Sequence, residues 1–386
     1  MSYFHQLDDW PKFGYDKNRL EPIISEINTL DTKLKTLMSV ISLEHHTELE
    51  ISVTITEIVK NFEIESVRLN TDDVRASLIK KLGLETELSP TNRNIDGYVE
   101  ASVDAIKNAD SPLTTETLCK WHNCLFHKGI NEYGKEIIVG KYRTEKEGPM
   151  TVMSGTFGVE NIHYVAPTGE KVLNEMDRFL QWYNNDKTTL PFIKSAIAHL
   201  WFVSIHPFDD GNGRISRIIS DKAISSSNKY IKYYSVSEQI QANKQEYYAV
   251  LNKTSKQTNL NITDFISWYS TQTLNALKVT EQRIEKIFVN VHFWDKIKTI
   301  PLNDRQLMCL KKILSNEIYN KMNRSKYATF FNISNETASR DLLDLESKKV
   351  LTKLPAGGRE TAYYLKELGL PIEKKFGEEK QKGFSL

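Results

Sequence analysis

The sequence has little of several things. Only three of its 386 residues are cysteine, Cys119, Cys124 and Cys309. They are too few and too scattered for a disulfide framework, so a reducing compartment, the cytoplasm, is the expected location. No apolar run reaches the roughly 18 residues that a membrane span needs. The best stretch, Ala196 to Ile205, is short and contains His199, so no membrane partner is expected. The opening MSYFHQLDDW carries Asp8 and Asp9 instead of a basic leader and an apolar stretch. It does not read as a signal peptide. Charge of one sign is also missing, with 51 Lys and Arg against 50 Asp and Glu. That balance excludes a wholly basic nucleic-acid coat and an acidic tail protein. The phosphate loop G-x-x-x-x-G-K-[ST] is absent, and Gly211-Asn212-Gly213 lacks the third glycine of a dinucleotide fingerprint.

One cluster looks metal-binding and does not survive inspection. Cys119, His122, Cys124 and His127 all lie in LCKWHNCLFHKG, which reads as a single helix. At about 100° per residue they spread over roughly 200° of its surface, too wide to close on one ion. Packing and solvated histidines are the expected roles.

Apolar residues make up 40% of the chain, enough to build real cores, and their spacing divides it into three. Residues 1–95 form an N-terminal helical domain, with helices over Leu20 to Leu43 and Glu48 to Phe62. A third helix is capped by Asn70-Thr71-Asp72-Asp73 and ends at Gly83. Pro90, Asn92, Asn94 and Gly97 mark a break. Residues 96–286 are again mainly helical. Within them, 137–166 holds short β-branched runs, IIVGKYR, MTVMSG and IHYVAP, that predict a small hairpin. Residues 290–370 read as three short helices and a β-hairpin, the order of a winged helix-turn-helix. The tail 371–386 is rich in Lys and Glu and is expected to fray. The fold class is therefore mainly α, with one small hairpin and a C-terminal winged helix.

The chemistry concentrates in HPFDDGNGRISR, His206 to Arg217. An apolar helix stops where His206 meets Pro207. Gly211 and Gly213 let the backbone turn, and a second helix opens at Gly213 with unpaired amides and a positive dipole end. A glycine loop feeding a helix N-terminus is an anion site. Arg214 and Arg217 share one helix face and can fork onto phosphate oxygens. Asp210 can hold a divalent cation between phosphates. His206 titrates near neutrality, as a general base requires. Taken singly, these are a turn, a helix cap and two solvated arginines. Together they describe a phosphoryl or nucleotidyl site with a base.

That segment matches the Fic family signature, HPFx[DE]GNGRxxR, at every specified position, and the chain resembles that family well beyond it. Gly140-Lys141-Tyr142-Arg143, Val152-Met153-Ser154-Gly155, Ala166-Pro167, Met176 to Trp182 and Tyr247-Tyr248 fall where Fic proteins carry similar residues. The N-terminal Trp10-Pro11-Lys12-Phe13 and Val74 to Leu78 resemble the helical domain that precedes many bacterial Fic cores. Tyr327-Ala328 and Thr337 to Leu342 look like the winged helix that follows it.

The resemblance implies a protein adenylyltransferase, moving AMP from ATP to a Tyr, Thr or Ser hydroxyl of a protein, this chain included among the candidate targets. It implies His206 as base and Asp210 as the magnesium residue. The ATP site would be Gly211, Asn212, Gly213, Arg214, Ile215, Ser216 and Arg217. Val152, Met153, Ser154 and Gly155 would form a flap aligning the target. Tyr247, or Tyr248 beside it, would lie near the adenine. Many Fic proteins are restrained by [ST]xxxE[GN]; here the corresponding run is Asn61 to Ser66, which makes Glu65 the inhibitory carboxylate and changes both flanks. Removal of AMP, or transfer of another phosphate-containing group, stays open as an alternative activity.

A DNA-binding regulator with a switch-like core is the reading from another class. From residue 301 onward 16 Lys and Arg face 11 Asp and Glu, a net +5. Asn335, Glu336, Ser339 and Arg340 would lie on the recognition helix, and Arg359 in the wing turn. Against DNA stand Asp341, Asp344 and Glu346 in the same helix. A protein-interaction or homodimerisation module is the competing use.

Overall fold

The computed structural model describes residues 3–84, 93–145, 149–154, 161–225, 232–355 and 361–369. The predicted break at Pro90 and Asn92, the flap residue Gly155, the wing-turn residues 356–359 and the tail 371–386 lie outside them. The chain divides into two compact units, Met1–Gln282 and Arg283–Leu386.

The first unit is helical wherever the apolar spacing is three and four residues. α1 (Lys17–Met38) starts where the Asp16 carboxylate accepts from the Asn18 and Arg19 amides. α2 (Leu43–Ile64) starts at Ser42. α3 (Thr71–Leu82) opens on the Asn70 cap and stops at Gly83, whose left-handed backbone ends it. α4 (Arg93–Lys107) and α5 (Thr115–Leu125) follow. Gly97 was read as part of a break; it lies inside α4 instead. A Cβ there would run into the carbonyl of Cys124, so the glycine is what lets α4 and α5 approach closely. Its packing role overrides its poor helix propensity.

The expected hairpin is shorter than 137–166. β1 (Thr151–Ser154) pairs antiparallel with β2 (Asn161–Val165), with an irregularity between Val152 and Met153. Ile137 to Arg143 contributes no strand; the Ile137 amide turns back to the Gly129 carbonyl, at 2.9 Å. α6 (Gly169–Asn185), α7 (Pro191–Ile205) and α8 (Asn212–Ser225) form the centre of the unit. α7 is buried on nearly every side, by Phe192, Ala196, Leu200, Trp201, Phe202 and Ile205 among others. It explains why that stretch was the most apolar in the chain without being a membrane span. α9 (Val236–Ala242), which the spacing did not reveal, α10 (Lys244–Ser255) and α11 (Thr263–Ile297) as far as Gln282 complete the layer. α11 was expected to end near Lys286 and runs on to Ile297.

In the second unit α12 (Asp304–Leu314), α13 (Arg324–Phe331) and α14 (Asn335–Ser347) surround a core of Leu310, Ile313, Tyr327, Leu342 and Leu345. β3 (Met322–Asn323), an unexpected strand, joins β4 (Thr352–Lys353) and β5 (Ala362–Tyr364) in an antiparallel sheet ordered β3-β5-β4. α13 and α14 are joined by Asn332–Ser334, with Asn332 left-handed at φ 50°.

Gly97→Ala is expected to force α4 from α5 and lower stability by about 2 kcal/mol, the scale of an overpacked core. Thermal unfolding reads this directly; an unchanged midpoint would mean the two helices can part at no cost.

Candidate active site

The site begins where α7 ends. His206 adopts a left-handed backbone, φ 53° and ψ 57°, that β-carbon sterics disfavour. Arg143 holds it there. Its backbone amide donates to the Pro207 carbonyl at 2.8 Å, and Nε donates to the His206 carbonyl at 2.7 Å. Its Nη2 donates to Pro167 at 2.6 Å. Arg143 is 2% exposed, so these bonds are made away from water. The His206 Nδ1 lies 3.0 Å from the Val203 carbonyl. A carbonyl only accepts, so Nδ1 carries the proton and Nε2 keeps the lone pair. Burial is the main force on the ring and pushes its pKa down, with Arg143 adding to it against the Val203 bond. The imidazole is neutral and ready to take a proton.

The loop from Pro207 to Gly213 is closed by its own asparagine. Asn212 Oδ1 accepts from the Phe208 amide at 2.9 Å, and Nδ2 donates to the Phe208 carbonyl at 2.8 Å. The Asn212 side chain therefore shapes the loop. Gly211 has φ 77°, and a Cβ there would come within 2.6 Å of the Phe126 ring. Gly213 lies against the Glu65 carboxylate with no room for a Cβ. Ile215 and Ser216, expected beside a nucleotide, face inward: both are fully buried, and Ser216 Oγ donates to the Gly213 carbonyl at 2.7 Å. Neither lines the cleft.

Both arginines are occupied. Arg214, 3% exposed, pairs through Nη1 with Glu132 and through Nη2 with Asp210 at 3.2 Å. Its guanidinium lies between the Phe62 and Phe126 rings, 5.2 and 4.7 Å from their centres. Arg217, 1% exposed, pairs through Nη2 with Glu65 at 2.6 Å. Its Nε donates to Asn61 Oδ1 at 2.6 Å, while Asn61 Nδ2 donates to the Arg214 carbonyl at 3.3 Å. The Arg217 Nη1 has no partner among the described residues. Burial raises the Glu65 pKa, but the charge and hydrogen bond of Arg217 outweigh it and hold the carboxyl below its ordinary value.

Residues without a sequence signal of their own complete the site. His122, read from sequence as packing, is a strut. Its Nδ1 accepts from the Gly140 amide at 2.9 Å, so Nε2 carries the proton and donates to the Asp210 carbonyl at 3.1 Å. Its ring stacks on Phe208 with centroids 4.2 Å apart. Burial pushes its pKa down to about 4. Asn131 Nδ2 donates to Asp210 Oδ2 at 2.8 Å, and the Ile138 amide donates to Asp209 at 3.3 Å. Only the family resemblance of Gly140-Lys141-Tyr142-Arg143 hinted that this loop matters.

His206, Asp209, Asp210, the Gly211–Gly213 turn, Arg214, Glu65 and Glu132 line a cleft of about 680 Å³ with Val152 and Met153 of β1 and with Tyr247 and Tyr248 of α10, while Arg217, His122 and Asn131 lie behind that lining. The Tyr247 hydroxyl lies 2.8 Å from His199 Nε2, and Tyr248 donates to the Ile64 carbonyl at 3.2 Å. Ser154 pairs with Asn161 at the far end of the hairpin. Four carboxylates, Glu65, Glu132, Asp209 and Asp210, face one guanidinium, Arg214, along the lining among the described residues. A polyanion meets a repulsive cleft unless a cation accompanies it or a carboxylate leaves. Asp210 offers the hard oxygen that magnesium takes together with phosphate oxygens, so the donor chemistry fits that ion.

Comparison with known proteins gives the following. Residues 112–223 match the Fic/DOC family, and residues 3–84 match a domain of unknown function, DUF4172. The chain is 28% identical over 123 residues to the protein adenylyltransferase fic-1 of Caenorhabditis briggsae, covering 30% of this chain and 24% of that protein. It is 28% identical over 145 residues to a probable protein adenylyltransferase of Aquifex aeolicus, covering 33% of this chain and 42% of that protein. The matched region thus spans less than half the length of either relative. The crystal structure of a Fic family protein from Desulfovibrio desulfuricans shares the fold, with a TM-score of 0.53 at 18% identity over 91% of this chain and 96% of that one.

The lowered pKa of Glu65 makes its pair with Arg217 a source of stability that is complete above the ordinary carboxyl value of 4.5 and lost as pH falls below it. Glu65→Gln is expected to cost about 2 kcal/mol at neutral pH, as for a charged hydrogen bond. The gap to wild type should narrow as pH drops below that value. Paired denaturant titrations across pH check it; a gap that persists unchanged at acid pH would refute the charge pairing.

Proposed function

We propose, from the match of residues 112–223 to the Fic/DOC family, that this cleft moves AMP from ATP to a hydroxyl side chain of a protein. The observation that carries the reading is a neutral His206, its Nε2 lone pair uncommitted among the described residues, beside a glycine loop and Arg214, with Arg217 buried just behind.

In this reading His206 Nε2 takes the proton of the target hydroxyl as its oxygen forms a bond to the α-phosphorus. The bond from that phosphorus to the bridging oxygen breaks, and pyrophosphate leaves. The amides of the Gly211–Gly213 loop, set by Asn212 and His122, would face the oxygens on which charge develops. Arg214 and Arg217 would bind the outer phosphates. Asp210 would hold magnesium, which when bound neutralises phosphate charge. Val152 and Met153 of β1 would align the target by strand-like pairing, and Tyr247 would lie near the adenine. Glu65 would restrain the reaction, because its carboxylate occupies the guanidinium that an outer phosphate needs.

The second unit supports a second reading, as a duplex DNA binder. The specific observation concerns the acids that argue against it. Asp341 is 7% exposed and turned onto α12, accepting from Arg305 Nε at 2.9 Å and Asn303 at 2.9 Å. Asp344 is taken by Gln306 and Lys348. Arg324, Lys326, Asn335 and Arg340 are left exposed on α13 and α14, with Glu336 between them. Asp341, turned inward, does not oppose a phosphate as an outward acid does, whereas Asp344 stays partly exposed with Lys348 as its counter-charge.

His206→Ala is expected to lower label transfer from α-labelled ATP by about 10²–10⁴-fold, the usual worth of a general base, with ATP affinity retained. Wild-type labelling by the variant would sink the assignment. Because burial lowers the His206 pKa, the acid limb of the rate profile should lie below the ordinary imidazole value of 6.5. Glu65→Gly should raise transfer well above wild type. For the second unit, duplex binding should weaken steeply with salt and survive His206→Ala, and Arg340→Ala should flatten the salt slope by about one unit. Binding that ignores salt would end the DNA reading.

A further inference from the structure

Three consecutive residues of one loop reach three different parts of the cleft. Asn131 bonds the Asp210 carboxylate, Glu132 bonds Arg214, and the Tyr133 hydroxyl donates to the Glu65 carbonyl at 3.2 Å. The loop is held by the Asn131 side chain, which accepts from the Tyr133 and Lys135 amides at 3.1 and 2.9 Å. Gly134, at φ 80°, lets it turn. None of these residues belongs to the signature segment or to the helix that carries Glu65.

We infer that Glu132 is a second internal plug of the phosphate site, closing Arg214 as Glu65 closes Arg217. This rests on the reading of the cleft as a nucleotide site. The argument is one of access. Arg214 sits between two phenylalanine rings, so its edge is the route by which an anion can reach it. Along that edge Nη2 meets Asp210, from the preceding turn of its own chain, and Nη1 meets Glu132, which lines the cleft. Glu132 Oε1 holds the place on Nη1 that a phosphate oxygen entering from the cleft would take.

Charge points the same way. With Glu132 in place, Arg214 is outnumbered by its carboxylates, and an arriving triphosphate meets a negative lining. When Glu132 withdraws, a buried charged donor is left needing an acceptor, and a phosphate oxygen supplies one together with the charge. The Tyr133 bond makes the plugs neighbours: the loop that holds Glu132 in the cleft is tied to the end of α2 that holds Glu65.

A plug and a brace predict opposite results, and this is what the test uses. The full chain is titrated with ATP and magnesium by calorimetry, for wild type, Glu132→Gln, Arg214→Ala and the double variant. Loss of a plug should tighten ATP binding, by about tenfold for a coupling of ordinary size. Arg214→Ala should weaken it, and adding Glu132→Gln to Arg214→Ala should change nothing further, because Glu132 acts through that guanidinium. Equal or weaker affinity in Glu132→Gln overturns the inference. If Arg214→Ala binds ATP as wild type does, the nucleotide reading of the cleft is what fails, and the plug falls with it. Thermal unfolding accompanies each titration. Should Glu132→Gln not fold, Glu132→Ala reads the same quantity.

Discussion

A guanidinium cannot give up its proton, so an arginine buried without an anion would be a lasting cost. α8 carries two such arginines in its first turns, 3% and 1% exposed. Most of the surrounding structure can be understood as a response to them. Glu65 comes from the end of α2, Glu132 from the loop after α5, and Asp210 from the turn before α8. The helices that meet α8 are thus drawn together by charge as well as by apolar area. The same pairs that let the chain fold without a ligand occupy the donors a phosphate would use.

The base is positioned by a separate device. His206 has to leave α7 in a left-handed turn so that its ring faces the glycine loop, and a non-glycine residue pays about 1 kcal/mol or more for that. Arg143 offsets the strain by filling the carbonyls of Ile205, His206 and Pro167. His122 does the equivalent for the loop, fixing the Asp210 carbonyl. A trans peptide is planar, so fixing that carbonyl also sets the direction of the Gly211 amide. Two side chains that touch no reacting group in the proposed mechanism therefore set where the base and the amides point.

What could be read in the sequence was what is local. α3 is legible because Asn70 and Gly83 are its own caps, and the cleft loop because twelve successive residues hold its turn, its helix start and its charges. Gly97 misled because a breaker and a close-packing glycine look alike until the partner helix is known. Ile215 and Ser216 were placed at the nucleotide because a helix turn brings signature positions near the loop; the same periodicity turns those two inward. Glu132 and His122 carry no signal. Each meets the loop or α8 from more than 80 residues away, 82 for Glu132 and 88 for His122, and nothing in a local pattern marks such a pairing.

The altered flanks of Glu65 show how the geometry survives substitution. Ser66 has φ 64°, its amide bonds the Glu63 carbonyl, and the Val67 amide reaches back to Phe62. That is a Schellman ending, with Ser66 at the position that glycine or asparagine fills most easily. This accounts for the [GN] in the family pattern on physical grounds. Serine is strained there, and the Lys244 ammonium, 2.8 Å from its hydroxyl, helps to hold it. Asn61 is longer than the serine or threonine of the pattern, and its amide uses both ends, accepting from Arg217 and donating to the Arg214 carbonyl. Further back, Lys232 bridges Glu57 of α2 and Asp221 of α8, in a site where burial and Glu57 push the Asp221 pKa up. α2 is therefore fastened to α8 at two levels, by Lys232 below and by Asn61 with Glu65 above. The lower fastening leaves the cleft untouched.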